Sequence, residues 1–321
     1  MKAPEFWSQP NAPLGKLLSP LGYAYRLAGA LKRSRTKPAR VDATVICVGN
    51  LVAGGTGKTP VALSIARILK RDDLAFLTRG YGGRLAGPVR VSPNFHTSAD
   101  VGDEALLLGQ AATTWVARDR AVGARAALEA GMRLIVMDDG FQNPSIIKDI
   151  SFVVIDGETG FGNGKLIPAG PLREPVATGL ERADAVVIVG NDRAEIAKTL
   201  PSSLPVFTGQ ILPTADREIW AGQRIVAFAG IGRPAKFFDT LSALGCDVVA
   251  TRSFADHHPF TDAEIAQICA EADALDAKPV TTEKDAVRLP NALRNKIETL
   301  PVAFVWDDAA AISDFLTNRT G

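Results

Sequence analysis

The sequence predicts an α/β fold, in which a mostly parallel sheet with helices on both faces is joined to a second, smaller α/β domain. Short apolar runs of β type alternate with helical patterns over much of the chain, as is typical of a parallel sheet covered on both sides. A glycine-rich turn joins the first run to the first helical pattern. A second alternation follows an extended, proline-containing segment and predicts the smaller domain.

The individual elements follow from these patterns in chain order. The first alternation predicts strands at 44–48, 74–78, 113–117, 133–137, 152–156 and 185–189, and helices at 58–70, 103–111, 119–130 and 191–199. The second alternation predicts strands at 224–229, 246–250, 279–281 and 301–305, and helices at 234–244, 262–275 and 308–317. We therefore divide the chain into an N-terminal segment 1–40, a core domain 41–204, an extended linker or ribbon 205–223 and a C-terminal α/β domain 224–321.

The N-terminal segment is strongly basic, although the whole chain has a net charge of only +1. Residues 1–40 hold eight Lys and Arg against one Glu, so the rest of the chain is net negative. Ser19 and Pro20 fit the N-cap and first position of an amphipathic helix that runs to about Arg33. Two interpretations stay open: a helix packed on the body, or a membrane-surface element with leucines in the interface and cations on anionic headgroups.

Other composition features exclude some classes of protein. The chain has no run of 18 apolar residues, so the sequence predicts no membrane span. Cys47, Cys246 and Cys269 have neither metal-binding nor redox spacing, which favours buried thiols in a reducing compartment.

The glycine-rich turn is the most informative motif, and it indicates a P-loop NTPase-like core. It ends in Gly57-Lys58-Thr59, and its glycines allow backbone N–H groups to approach phosphate oxygens at a helix N-terminus. Lys58 is expected to reach the β- and γ-phosphates of a nucleoside triphosphate, and the Thr59 hydroxyl to bind Mg²⁺. Val52 stands where a glycine is usual, so the loop is a variant. The predicted nucleotide-binding residues are Val52, Ala53, Gly54, Gly55, Thr56, Gly57, Lys58 and Thr59.

Asp138 and Asp139 follow an apolar run and form a Walker-B-like element, which predicts a Mg²⁺ site together with Thr59. Adjacent residues of an extended strand point to opposite sides, so the pattern leaves open which aspartate contacts the metal.

Several motifs together resemble the tetraacyldisaccharide 4′-kinase family, the lipid A 4′-kinases of Gram-negative bacteria. They occur in the order known for that family and span nearly the whole chain. The matching stretches are 48–60, 78–83, 101–104, 138–142, 167–174, 254–258 and 281–285. One departure is Asn143, at a position where the family commonly has histidine.

The resemblance implies two α/β domains joined by a ribbon, with ATP between them. It implies transfer of the γ-phosphate of ATP to the 4′-hydroxyl of a tetraacylated glucosamine disaccharide 1-phosphate, which gives lipid IVA in lipid A biosynthesis. It also implies peripheral attachment to the cytoplasmic face of the inner membrane, and so favours the membrane interpretation of residues 1–40.

The resemblance further implies roles for individual residues. Asp103 would be the base and His257 its partner, with Lys58 as the third catalytic residue. Asp138 and Thr59 would hold Mg²⁺, with Asp139 nearby. The candidates for binding the acceptor are Arg79, Tyr81, Arg120, Gln142 and Arg173.

A P-loop ATPase that couples hydrolysis to binding of another anionic partner, such as a nucleic acid, is the alternative. The sequence contains no recognised nucleic-acid-binding module, and its basic residues are concentrated in one leucine-containing arm. An Asp–His pair has no evident role in such a protein. We therefore predict a lipid acceptor and no nucleic-acid partner.

Overall fold

The computed structural model describes residues 4–320, so residues 1–3 of the predicted N-terminal segment and residue 321 lie outside the described part. Its strands are β1 (Thr44–Gly49), β2 (Leu74–Thr78), β3 (Val89–Arg90), β4 (Thr114–Val116), β5 (Leu134–Asp138), β6 (Ile150–Asp156), β7 (Ala185–Val189), β8 (Val206–Pro213), β9 (Arg224–Ala229), β10 (Asp247–Ser253), β11 (Lys278–Thr282), β12 (Glu298–Leu300) and β13 (Val302–Trp306).

The α-helices of the same residues alternate with these strands. They are α1 (Pro13–Arg35), α2 (Lys58–Leu69), α3 (Ser98–Val101), α4 (Asp103–Ala111), α5 (Arg120–Glu129), α6 (Val176–Leu180), α7 (Arg217–Trp220), α8 (Pro234–Ala243), α9 (Asp262–Ala274), α10 (Glu283–Ala286), α11 (Asn291–Arg294) and α12 (Ala309–Thr320).

The larger sheet has nine strands in the order β13-β8-β7-β6-β1-β5-β2-β4-β3. All neighbours are parallel except the β13–β8 and β3–β4 pairs. β1 lies centrally, with Ile46 in register with Val136 of β5 and Ile150 of β6. Its position brings the loop after β1 next to the carboxyl ends of β5 and β6, where sites form in open α/β sheets.

Two apolar clusters explain why the central strands are uniformly hydrophobic. Val61 and Ile65 of α2 pack on one face of the nine-stranded sheet, and Ala124 and Ala127 of α5 pack on the other. Strands covered on both faces expose no polar side, so every residue of β2, β5, β6 and β7 is buried. The predicted α/β class with helices on both faces is confirmed.

The smaller sheet has four parallel strands in the order β10-β9-β11-β12. Phe237 and Leu241 of α8 cover one face, and Ile265 and Ile268 of α9 cover the other. This is the second α/β unit that the later alternation predicts.

The sheet topology corrects the predicted C-terminal boundary. β13 pairs antiparallel with β8, and Phe315 of α12 packs on Phe152 of the larger sheet. The end of the chain therefore returns to the nine-stranded sheet, where β13 covers the edge of β8 and α12 buries its apolar side. The range 205–223 also contains β8 and α7, and is not simply a linker. The other domain boundaries stay predictions.

Two predicted helices differ from the structure. α1 begins at Pro13, so Pro20 lies inside the helix, and the Ser19 hydroxyl donates to the Gly15 carbonyl instead of capping a helix start. The predicted helix 191–199 is only a 3₁₀ turn at Ile196–Thr199, because the Asp192 carboxylate accepts the N–H groups of Ile196 and Ala197. Among residues 4–320, none of the helices is sufficiently long and apolar to cross a bilayer.

Candidate active site

The glycine-rich turn forms an open loop between β1 and α2. Gly57 precedes the first residue of α2 with φ 84°, and Gly54 has φ 123°, conformations that favour glycine. Within residues 4–320, the N–H groups of Gly54, Gly55, Thr56 and Gly57 have no hydrogen-bond acceptor. Four unpaired donors at the start of a helix form a site with the geometry and polarity that a phosphate needs.

The residues before Gly54 support this loop rather than line it. Val52 is buried and bridges Leu172, while the Ala53 N–H donates to the Pro171 carbonyl over 2.8 Å. The Ala53 N–H is thus paired within the protein, and nucleotide binding by Val52 and Ala53 stays a prediction. Gly49 lies within β1, where a Cβ would come within 2.4 Å of the Phe141 side chain.

Asp138 ends β5 directly beside the loop. The Thr59 hydroxyl donates to its Oδ2 over 2.8 Å, while its Oδ1 is buried and has no partner among the described residues. Burial, and next the negative charge of Glu104, raise the pKa of Asp138 to about 7 against the opposing effect of Lys58. The orphaned oxygen beside the Thr59 hydroxyl fits a Mg²⁺ ligand pair, since Mg²⁺ uses few protein ligands together with phosphate and water.

Asp139 also faces the loop, because it lies beyond the end of β5 and has φ 54°. Strand alternation therefore does not separate the two aspartates. Asp139 is 2.7 Å from Arg173 and 3.8 Å from the Lys58 ammonium. Burial acts to raise its pKa, but the charges of Lys58 and Arg173 dominate and lower it. Residues 4–320 contain no group of three acidic, His or Cys side chains that could hold a metal without help from phosphate or water.

Asp103, the first residue of α4, meets His257 from a loop of the four-stranded sheet. Asp103 Oδ2 is 2.8 Å from His257 Nδ1, and Asp103 is only 4% exposed. Burial opposes its ionisation, but the His257 hydrogen bond and the charges of Lys284, His257 and Arg288 lower the pKa of Asp103. Since the carboxylate is ionised, Nδ1 is the donor. The predicted base and its predicted partner are in contact.

The residues predicted to bind the acceptor differ in their exposure to solvent. Tyr81 is exposed and its ring centroid lies 6.0 Å from that of His257. Arg79 is exposed, whereas Arg120 is 2% exposed and donates to the Ala117 carbonyl. Burial and the nearby charge of Arg79 lower the pKa of Arg120 to about 10. Tyr81 and Arg79 are thus open to a ligand, whereas Arg120 is buried.

Gln142 and Arg173 belong to one polar network. Gln142 donates to the Asn50 carbonyl and to Glu174, and Arg173 donates to both Asp139 and Gln142. Asn143 accepts hydrogen bonds from the backbone N–H and hydroxyl of Ser145, so at this position the side chain closes a local turn.

The structure adds charged residues that the sequence did not assign to the site. Arg288 is buried, 3.6 Å from Asp103, and Lys284 Nζ is 3.5 Å from His257 Nε2. Glu174 is 2% exposed and pairs with Arg182 and Arg33. Lys284 and Glu174 lie inside the motifs that match the family, and this position could have indicated a role at the site. No feature of the sequence indicated Arg288.

Comparison with known proteins agrees with this geometry. A sequence model of the family described as LpxK, tetraacyldisaccharide-1-P 4′-kinase, matches residues 14–320. A Rhodospirillum centenum protein named tetraacyldisaccharide 4′-kinase is 53% identical over 326 residues, covering 98% of this chain and 96% of that protein. One of the same name from Rhodospirillum rubrum is 49% identical, covering 97% and 96%.

A solved structure shows the same fold. The crystal structure of LpxK from Aquifex aeolicus, described as the "apo" form in complex with ATP, has a TM-score of 0.79 and 25% identity, covering 96% of this chain and 100% of that chain. The family match extends over both sheets and all the site residues. The chain belongs to the tetraacyldisaccharide-1-P 4′-kinase family.

Proposed function

We propose that this protein is an ATP-dependent lipid kinase that transfers the γ-phosphate of ATP to the 4′-hydroxyl of a tetraacyldisaccharide 1-phosphate, giving lipid IVA. The observation that carries the proposal is the contact of the ionised Asp103 with His257, in the same chain as a phosphate-binding loop with unpaired N–H groups. A loop for phosphates and a buried, ionised base are the two parts that transfer to a sugar hydroxyl requires.

The loop residues bind and neutralise the nucleotide. The N–H groups of Gly54 to Gly57 and the helix start receive phosphate oxygens, and Lys58 offsets charge on the γ-phosphate. Thr59 and Asp138 hold Mg²⁺, which supplies charge neutralisation at the β- and γ-phosphates when bound. Asp139 acts indirectly, because it fixes Lys58 and Arg173 near that position.

Asp103 takes the proton of the 4′-hydroxyl as the hydroxyl oxygen bonds to the γ-phosphorus and ADP leaves. His257 donates to Oδ2 of Asp103 and the Glu104 N–H donates to Oδ1, so the carboxylate is held in one orientation. Arg79 and Tyr81 are the exposed candidates for contacts with the acceptor's sugar and 1-phosphate, and Arg173 pairs with Asp139, which also lies near Lys58.

The N-terminal helix supports attachment to a lipid surface. Leu17, Leu21 and Leu27 of α1 are 74%, 55% and 70% exposed, and three basic residues occupy its last turn. Gly15 and Gly22 pack instead against Ala169 and Leu166 of the body. An exposed apolar side with adjacent cations suits the anionic cytoplasmic face of the inner membrane, where the lipid acceptor would be met.

The test is transfer of radiolabelled phosphate from ATP to a tetraacyldisaccharide 1-phosphate in mixed micelles, with the product mass read by mass spectrometry. A product heavier by one phosphate is expected. ATP hydrolysis that is stimulated by nucleic acid, without labelled lipid, would instead favour the alternative of a P-loop ATPase with another anionic partner.

A further inference from the structure

A second contact joins the two sheets, on the side of the phosphate-binding loop away from Asp103. Arg233, the residue before α8, donates to two carboxylates of the larger sheet: Asp156, which ends β6, and Glu158, at 3.1 Å. β6 is the neighbour of β1, with Val153 in register with Gly49, so this contact lies beside the strand that leads into the loop.

Hydrogen bonds hold the Asp156 carboxylate in one orientation, so its second oxygen is available to an arginine at one fixed position. Its side chain is 8% exposed, and its other oxygen accepts hydrogen bonds from the Glu158 N–H, the Thr159 N–H and the Thr159 hydroxyl. Exposed ion pairs contribute little, because solvent and side-chain entropy offset the attraction. An arginine on a buried, pre-oriented carboxylate is different, since its loss leaves that charge without its partner.

The loop that carries Arg233, between β9 and α8, is hydrogen-bonded to the loop that carries His257, between β10 and α9. The His257 N–H donates to the Gly230 carbonyl over 3.0 Å, and Arg288 donates to the same carbonyl over 3.0 Å. The Gly230 N–H in turn donates to Asp285. A fixed position of the 230–233 loop therefore sets the position of the backbone that holds His257.

We propose that Arg233 is a positioning residue, which anchors the 230–233 loop to Asp156 and Glu158 and thereby holds His257 at Asp103. The proposal rests on the phosphate-transfer function proposed above. It assigns the two contacts between the sheets different tasks: the contact at Asp103 takes part in the chemistry, and the contact at Asp156 keeps the two sheets at the separation which that chemistry needs.

The first test compares Arg233→Gln with Arg193→Gln in the full chain. Arg193 is a matched control, because it lies 3.8 Å from Glu158 but belongs to the larger sheet's own loop, and so removes an arginine without removing a contact between the sheets. We expect Arg233→Gln to lower kcat about tenfold with little change in the KM for ATP, as for a lost positioning contact. Arg193→Gln is expected to match the wild type. Arg233→Lys should recover part of the loss, since an ammonium can pair with one carboxylate but not span two.

The second test asks whether Arg233 acts through His257. Arg233→Gln should cost little more in a His257→Ala background, because the group being positioned is already absent. An equal loss of kcat in both backgrounds would overturn the proposal, because Arg233 would then not act through His257. A large rise in the KM for ATP would also overturn it and would indicate a direct contact with the nucleotide.

A measurement without substrate separates this proposal from the proposed function. Hydrogen exchange of the peptide that contains residues 254–258 should be faster in Arg233→Gln than in Arg193→Gln or the wild type, because the His257 N–H bond to Gly230 depends on the anchored loop. Unchanged exchange would refute the positioning role even if lipid phosphorylation is found. Faster exchange with no lipid phosphorylation by the wild type would refute the kinase assignment alone.

Discussion

His257 and Asp103 lie on different sheets and 154 residues apart, yet His257 Nδ1 and Asp103 Oδ2 are separated by only 2.8 Å. The pair therefore exists only while the two sheets are held together. Catalysis that depends on it requires the two sheets to keep this relative position.

Removing the base should reduce the rate without affecting nucleotide binding. A general base is typically worth about 10²–10⁴-fold, so Asp103→Ala should lower kcat by roughly that factor with little change in the KM for ATP. His257→Ala alone should lower kcat by a smaller factor, and the loss of kcat in the double variant should be well short of the product of the two single losses. Kinetics of all four proteins with the lipid acceptor are the measurement. Fully multiplicative losses would separate the two residues, and a near-normal Asp103→Ala would move attention to Asp139.

The phosphate-binding loop offers a test that keeps the fold intact. Lys58→Ala should nearly abolish transfer, because the γ-phosphate loses its cation, and Thr59→Ala should raise the Mg²⁺ concentration needed for half-maximal rate. Transfer rates over a Mg²⁺ titration and the melting temperature check both. Near wild-type turnover by Lys58→Ala would show that the loop does not bind the transferred phosphate.

The two adjacent aspartates should affect stability with opposite signs. In the metal-free protein the pKa of Asp138 is raised to about 7, so its ionisation costs stability as pH rises above the unfolded pKa of about 4. Asp138→Asn should therefore stabilise the protein increasingly between pH 5 and 7, by at most about 1.4 kcal/mol per pH unit, and by a constant amount above the folded pKa.

Asp139→Asn is the matched control, since the pKa of Asp139 is lowered and its ionised form stabilises the fold. That stabilisation is present above the unfolded pKa, so this variant should melt at a lower temperature at both pH 5 and pH 8. The measurement is thermal unfolding without Mg²⁺. A loss of stability for Asp138→Asn that grows with pH would contradict the raised pKa.

Substitution of exposed leucines of α1 by aspartate should weaken the binding of the protein to lipid. Leu17→Asp with Leu27→Asp removes apolar contacts at positions 74% and 70% exposed, and vesicle sedimentation with anionic lipid should fall severalfold at unchanged melting temperature. Phe95→Asp is the control, because Phe95 is 86% exposed but lies in a loop between β3 and α3. Raised salt should weaken the wild type's binding partially, since cationic contacts are screened. Equal sedimentation of all variants would favour a helix that is only packed on the body.

Two glycines near the site should respond differently to an added methyl group. Gly49→Ala would place a Cβ 2.4 Å from Phe141, and such overpacking typically costs about 1–3 kcal/mol. Gly55→Ala meets no atom within 4 Å and should leave the free energy of unfolding nearly unchanged. The measurement is the free energy of unfolding of both variants in denaturant. A Gly49→Ala variant as stable as the wild type would show that the turn at Phe141 moves to accommodate the methyl group.

The sequence alone predicted the features that depend on residues close to one another along the chain. Alternation of apolar runs and helical patterns predicted β1, α2, β2 and β5 nearly to the residue, because burial on both faces leaves a continuous local signal. The Gly57-Lys58-Thr59 turn predicted the phosphate-binding loop for the same reason, since its backbone N–H groups, lysine and hydroxyl are consecutive in the chain.

Other features were decided only by the tertiary structure. No local pattern shows that β13 would cover the edge of β8, or that Asp139 would leave the strand and turn towards Lys58. The pairing of Asp103 with His257 followed from family resemblance, and the Arg233–Asp156 contact had no sequence signal at all. Local periodicity reports which side of an element is buried, whereas long-range contacts depend on how separate elements fit together. The sequence thus determined the parts of the site that one turn can hold, and packing of the two sheets decided which charged groups from distant parts of the chain meet.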